Sequence, residues 1–188
     1  PRSNKRERLV DELLTSSRFI RALTLWIDGM LMDRRRDQAW LAFLDESLAA
    51  GRPLDQICRD VVLADGADEK QRPAARFFIE REAEPNRMTR DIGRIMFGMD
   101  LQCAQCHDHP LIDGYRQADY YGLFAFVQRT SVFKDAKNKL SLLTEKADGE
   151  ADYTSVFTKE EGKGVRPQLP NGAMLATEPV FAKGQEYV

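Results

Sequence analysis

The sequence predicts a mainly α fold: a helical body followed by a small C-terminal β-hairpin and an extended loop. Three observations carry this. Apolar residues recur at three- and four-residue intervals through the first hundred positions. A strongly apolar run from Tyr120 to Val127 continues the helical pattern. Beyond residue 130 the character changes to short β-prone runs around an Asp-Gly turn, then a proline-bearing tail.

Taken in order, Leu9, Val10, Leu13 and Leu14 have helical spacing, and Thr15-Ser16-Ser17 ends that helix. Phe19, Ile20, Leu23, Trp26, Ile27, Met30 and Leu31 lie on one face of the next. The basic turn Arg34-Arg35-Arg36, read as a solvated inter-helix turn, leads to a helix carrying Trp40, Leu41, Phe43, Leu44 and Leu48. Gly51 closes it and Pro53 opens a helix with Leu54, Ile57, Cys58, Val61 and Val62. A short apolar segment surrounds Phe77, Phe78 and Ile79. Pro85-Asn86 reads as a break, with Thr89 as N-cap of a helix holding Ile92, Ile95 and Met96. After the apolar helix at 120–127, Leu140–Thr144 and Tyr153–Thr158 flank Asp148-Gly149 and read as the two arms of a hairpin. The expected organisation is a helical domain over 1–130 and a β-hairpin and loop appendage over 131–188, packed on the same domain.

Length and composition narrow the classes. A chain of 188 residues fits one domain, or one domain with a small appendage. Hydrophobic residues make up 43%, enough for a core, so disorder is not the default. Lys and Arg number 28 against 30 Asp and Glu, and the net charge of −2 gives no reason to expect nucleic acid or an anionic membrane as partner. No stretch approaches the roughly 20 apolar residues that span a bilayer. The charged opening Pro1 to Arg8 has no apolar signal core, and a start at Pro1 without Met points to a processed or excised piece. Of the three cysteines, two share one motif and Cys58 stands alone on an apolar face, so no disulfide framework is expected.

The motif is Cys103-Ala104-Gln105-Cys106-His107. Two thiols three positions apart, with a histidine beside the second, suit covalent haem attachment. Each cysteine can add to one haem vinyl group, and His107 is placed as proximal ligand. Zinc is the alternative, because His109 completes a Cys₂His₂ set with Cys103, Cys106 and His107. Its geometry is less convenient, since all four donors fall within seven residues. A thioredoxin-like redox role is weaker, with no βαβ pattern around the pair.

Gln102-Cys103-Ala104-Gln105-Cys106-His107-Asp108-His109-Pro110, followed by Asp119-Tyr120-Tyr121-Gly122-Leu123-Phe124-Ala125-Phe126, resembles the planctomycete-type cytochrome-c-like domain family, long filed as a domain of unknown function. Leu13–Phe19, Gly51–Gln56, Thr89–Arg94, Gly149 and Val165-Arg166-Pro167 extend the resemblance over nearly the whole chain. Gly29-Met30-Leu31-Met32 departs from the Arg-Tyr-Ala-Asp-like run of such relatives. The resemblance implies an exported protein, usually one module of a larger chain, with a cytochrome-like role.

The expectation is therefore an exported c-type haem-binding domain, periplasmic or extracellular, with one covalent haem c on Cys103 and Cys106 and His107 on the iron. It is read as an electron carrier or haem-binding subunit more than as an enzyme, and no nucleophile-and-base pair stands out. Met174, in the loop after Pro170-Asn171-Gly172, is the preferred distal ligand. His109 is the other candidate, though a turn histidine bonded to backbone is the favoured reading for it. Met88, Met96 and Met99 read as core filler. The expected partner is a redox protein or a larger protein assembly. The alternatives are a zinc-stabilised interaction domain and a structural subunit.

Overall fold

A computed structural model describes residues 4–146, 149–170 and 172–173. Seven α-helices and two antiparallel two-stranded sheets occur among them, so the chain is mainly α with its strands toward the C-terminus. It divides into two compact units, residues 1–77 and 78–188.

The first unit holds α1 (Lys5–Leu14), α2 (Ser17–Met32), α3 (Gln38–Ala49) and α4 (Leu54–Leu63). Ser16 caps α2, its hydroxyl accepting from the Phe19 N–H at 3.2 Å. The basic turn that follows uses left-handed backbone at Asp33, Arg34 and Arg36. Asp37 then caps α3 by accepting from the Trp40 N–H at 2.9 Å, and its second oxygen takes Arg76 at 2.5 Å. Gly51, at a φ of +68°, turns the chain off α3, with its N–H on the Leu48 carbonyl and the Arg52 N–H on that of Ser47. The apolar spacing read along the sequence becomes the core: Ile27 and Leu31 of α2, Trp40 and Leu44 of α3, and Ile57 and Val61 of α4 are all buried. Burial contributes about 1.5–3 kcal/mol for each large aliphatic side chain. Thr24 donates to the Asp45 carboxylate between α2 and α3. Cys58 is half-buried on α4, and burial, with Asp55 adding, pushes its thiol up from its ordinary value. Helix α1 buries no residue.

The boundary at residue 77 falls within the short α5 (Arg76–Ile79). The second unit continues with α6 (Pro85–Met96), a 3-10 turn at Cys103–Gln105 and α7 (Gln117–Val127). Helix α6 starts earlier than its sequence suggested. Glu84 is the cap, its carboxylate accepting from the N–H groups of Asn86 and Arg87, and Pro85 occupies the first helical position. Proline is at home there because that N–H has no intrahelical partner. Thr89 thus lies inside the helix and returns its hydroxyl to the Pro85 carbonyl at 2.7 Å. Leu101, Ala104, Tyr120 and Leu123 form the buried centre of this unit, with Met99, Tyr121, Phe124 and Leu169 packed against it. Met88 is also buried, as expected of core filler.

The strand pairing differs from the one read from the Asp-Gly signal. Leu140–Glu145 (β2) pairs backward with Thr130–Asp135 (β1), with Val132 opposite Leu143 and Phe133 opposite Leu142. The cause is local. Asp135 accepts from the N–H groups of Lys137 and Asn138 and from the Asn138 amide, closing a complete reversal before β2 begins. Tyr153–Thr154 (β3) pairs instead with Glu161–Gly162 (β4). Asp148 lies outside the described residues.

Candidate functional site

The motif leaves α6 through Phe97 and Gly98 and enters its 3-10 turn at Cys103. The turn closes with the N–H groups of Cys106 and His107 both on the Cys103 carbonyl, at 3.2 and 3.3 Å. Ala104 faces inward and is buried in the second unit's core, which leaves Cys103 and Cys106 exposed. Alternation between one anchoring alanine and two exposed thiols is what a tight turn imposes on neighbouring side chains.

Gln105 holds the turn in place. Its amide nitrogen donates to Asn86 Oδ1 at 3.1 Å, and its amide oxygen accepts from Arg90 at 3.1 Å, both on α6. Its backbone carbonyl accepts from the Gln117 amide and the Tyr121 hydroxyl of α7, each at 3.3 Å. Tyr120, fully buried, donates its hydroxyl to the same Asn86 Oδ1 at 2.8 Å. Burial pushes the phenols of Tyr120 and Tyr121 up from their ordinary value, which keeps both as donors; for Tyr121 the nearby Cys106 adds to the effect.

The two histidines are held in opposite ways. His107 places Nδ1 at 2.7 Å from the Asp108 carbonyl oxygen. A carbonyl only accepts, so Nδ1 carries a proton, and in the neutral ring Nε2 then holds the lone pair, the form in which histidine ligates a metal. His109 places Nδ1 as acceptor for the N–H groups of Leu111 and Ile112, at 3.2 and 3.0 Å, and its ring lies edge-on to Tyr115. Its Nε2 therefore carries the proton. This is the turn-forming histidine that the sequence favoured, and it stands before the loop that leads into α7. There the Asp108 carboxylate accepts from the Gln117 N–H at 2.7 Å.

Cys103, Cys106, His107, His109, Ile112 and Tyr115 line one open cleft of about 610 Å³, together with Gly98, Asp100 and Gln102. Among the described residues no three His, Cys, Asp or Glu side chains converge to hold a metal ion. Haem attachment asks for less: two accessible thiols and one imidazole with a free Nε2, and those are present. Met174 lies outside the described residues.

Two contributors were not legible in the motif. Phe157, from the β3–β4 hairpin, lies on the His107 ring with centroids 4.6 Å apart. Gln105, between the cysteines, had no role assigned from sequence. Neither has a sequence signal of its own, because each acts through a contact made by a distant segment.

Fold and cleft together define a mainly α-helical domain that displays a C-x-x-C-H turn on the wall of an open cleft. The chain belongs to the family PSCyt2, described as a protein of unknown function (DUF1549), which matches residues 1–132. No curated protein and no solved structure matches it. No helix among the described residues is long and apolar enough to cross a membrane.

Proposed function

We propose that this chain is an exported c-type haem-binding domain that serves electron transfer, with Cys103 and Cys106 as attachment thiols and His107 as axial ligand. One observation carries the reading. Two exposed thiols on a single turn share a cleft wall with an imidazole whose Nε2 lone pair is free. In attachment each thiol adds across one vinyl double bond: the sulfur–carbon bond forms at one vinyl carbon and the thiol hydrogen passes to the other. The addition needs no oxidant or reductant. When bound, haem supplies one-electron chemistry at iron, tuned by axial ligation, hydrogen bonding and burial.

The chain's own residues do the rest. The Asp108 carbonyl accepts a hydrogen bond from the His107 Nδ1–H, which fixes the ring's tautomer and turns Nε2 away from that bond. Gln105 ties the turn to α6 and α7, so both thiols are presented from a fixed backbone. The open cleft leaves one side accessible to a redox protein partner or a larger assembly. His109 spends its Nδ1 lone pair on backbone N–H groups, and Met174 is the preferred second ligand on its sequence position after Pro170-Asn171-Gly172, an iron with no second protein ligand being the alternative. The resemblance to the planctomycete-type cytochrome-c-like family supports a periplasmic or extracellular location, where bacteria attach haem to such motifs.

Intact mass of the denatured protein, made in a host with a working haem-attachment system, tests the reading. The expected mass is the polypeptide plus one haem, and Cys103→Ala with Cys106→Ala should return it to the polypeptide alone. A wild-type protein with only the polypeptide mass would overturn it.

A further inference from the structure

The β3–β4 hairpin lies beyond residues 1–132, the part that matches the family. It nevertheless touches the motif at two points and reaches it at a third through Tyr121 of α7. The Val156 N–H donates to the Cys106 carbonyl at 3.1 Å. The Phe157 ring lies on the His107 ring at 4.6 Å, inclined by 45°. Tyr153 stacks on Tyr121 at 4.8 Å, and Tyr121 in turn bonds the Gln105 carbonyl.

The hairpin is built to hold this position. Ser155 is buried and sends its N–H to the Glu160 carbonyl at 2.8 Å, while the Lys159 N–H returns to the Ser155 carbonyl. Left-handed backbone at Lys159 tightens the same turn. Gly162 sits flat against the Tyr153 ring, where an added Cβ would come within 2.2 Å of Cε1. The turn thereby projects Phe157 outward, and the residue stays 73% exposed while its ring contacts that of His107.

We infer that residues Ser155–Lys159 form a clamp on the C-x-x-C-H turn and that Phe157 is a positioning residue, fixing the plane of the His107 imidazole while Val156 pins the backbone at Cys106. The inference rests on the haem-binding reading for its purpose, but the clamp itself is a property of the chain. Among the described residues the His107 ring makes one side-chain hydrogen bond, to the adjacent Asp108 carbonyl, and one bond leaves part of the ring's motion unrestrained. The Phe157 face closes that freedom. Surroundings that fix the orientation of a ligating imidazole are among the means by which a protein would tune a metal held there.

The test compares the full chain with Phe157→Ala, Phe157→Leu and Phe157→Tyr, with and without haem. In the haem-free protein the His107 ring protons should be shifted upfield by the Phe157 ring current. Ala and Leu should abolish that shift and Tyr should retain it, with circular dichroism unchanged in the Leu variant. In the haem-loaded protein all three should keep the covalent mass. Ala and Leu should alter the reduction potential and the ferric axial-ligand spectrum, and Tyr should restore both. Should Ala fail to fold, Leu carries the comparison, since it keeps apolar bulk without a ring current. A wild type that carries no haem but shows the Phe157-dependent shift would remove the haem reading and leave the clamp standing. His107 shifts, potential and spectrum indifferent to Leu at 157 would overturn the clamp.

Discussion

Gln105, lying between the two motif cysteines, donates its side-chain amide to Asn86 Oδ1 on α6 at 3.1 Å. That bond makes a residue of the motif part of the helix packing. Asn86 Oδ1 also takes the buried Tyr120 hydroxyl, so one acceptor joins α6, the cysteine turn and α7. The position of the thiols is thus set by the same contacts that hold the second unit together.

Replacing Gln105 by Leu removes the side-chain bonds to Asn86 and Arg90 while keeping similar bulk. Loss of part-buried polar contacts of this kind costs about 1–3 kcal/mol. Urea unfolding should show that loss, and the variant should also attach less haem in the same host. A variant as stable as wild type would mean that the turn is held by its backbone contacts alone.

Asp37 ties acid sensitivity to the first unit. Burial tends to raise its carboxyl, but the Trp40 N–H, Arg76 and the Ala39 N–H outweigh this and hold it below the ordinary value of 3.8. A carboxyl depressed in the folded state stabilises above its unfolded pKa, and that stability is lost as pH falls through the lower folded value. Asp37→Asn keeps a capping oxygen and removes the charge. It should be less stable than wild type at neutral pH and should lose less on going down to about pH 3. Asp37→Ala, which lacks the cap as well, should cost about 0.5–2 kcal/mol. Unfolding curves at the two pH values check both. A wild-type stability that does not fall in acid more than that of Asp37→Asn would refute the assignment.

Asp28 has both carboxylate oxygens buried and without a hydrogen-bond partner among the described residues, with the residue only 1% exposed on α2. An unsatisfied buried polar group costs about 1–3 kcal/mol. Asp28→Leu, close in size and apolar, should therefore raise the urea midpoint. A lower midpoint would show that the carboxylate contributes an interaction the fold needs.

Sequence alone determined the helical class, because the spacing of Ile27, Leu31, Trp40, Leu44, Ile57 and Val61 records which face of each helix leaves water, and these six are buried, although Leu9, Leu13, Trp26 and Val62, read on the same kind of face, stay exposed. It also determined the chemistry on offer at Cys103, Cys106 and His107, since reactive groups three and four positions apart on a turn are a local property. Tertiary structure decided what local pattern does not encode. Pro85 opened α6 where it had looked like a break, once Glu84 supplied the cap. Strand β2 turned back to β1 because Asp135 closed the chain before the Asp-Gly signal was reached. Gln105 and Phe157 gained their roles only when α6, α7 and the β3–β4 hairpin met at the motif. The physical reason is common to them: a periodicity or a spacing reports a residue's own neighbours along the chain, whereas a donor's acceptor or a ring's stacking partner is chosen by which distant segment the core brings beside it.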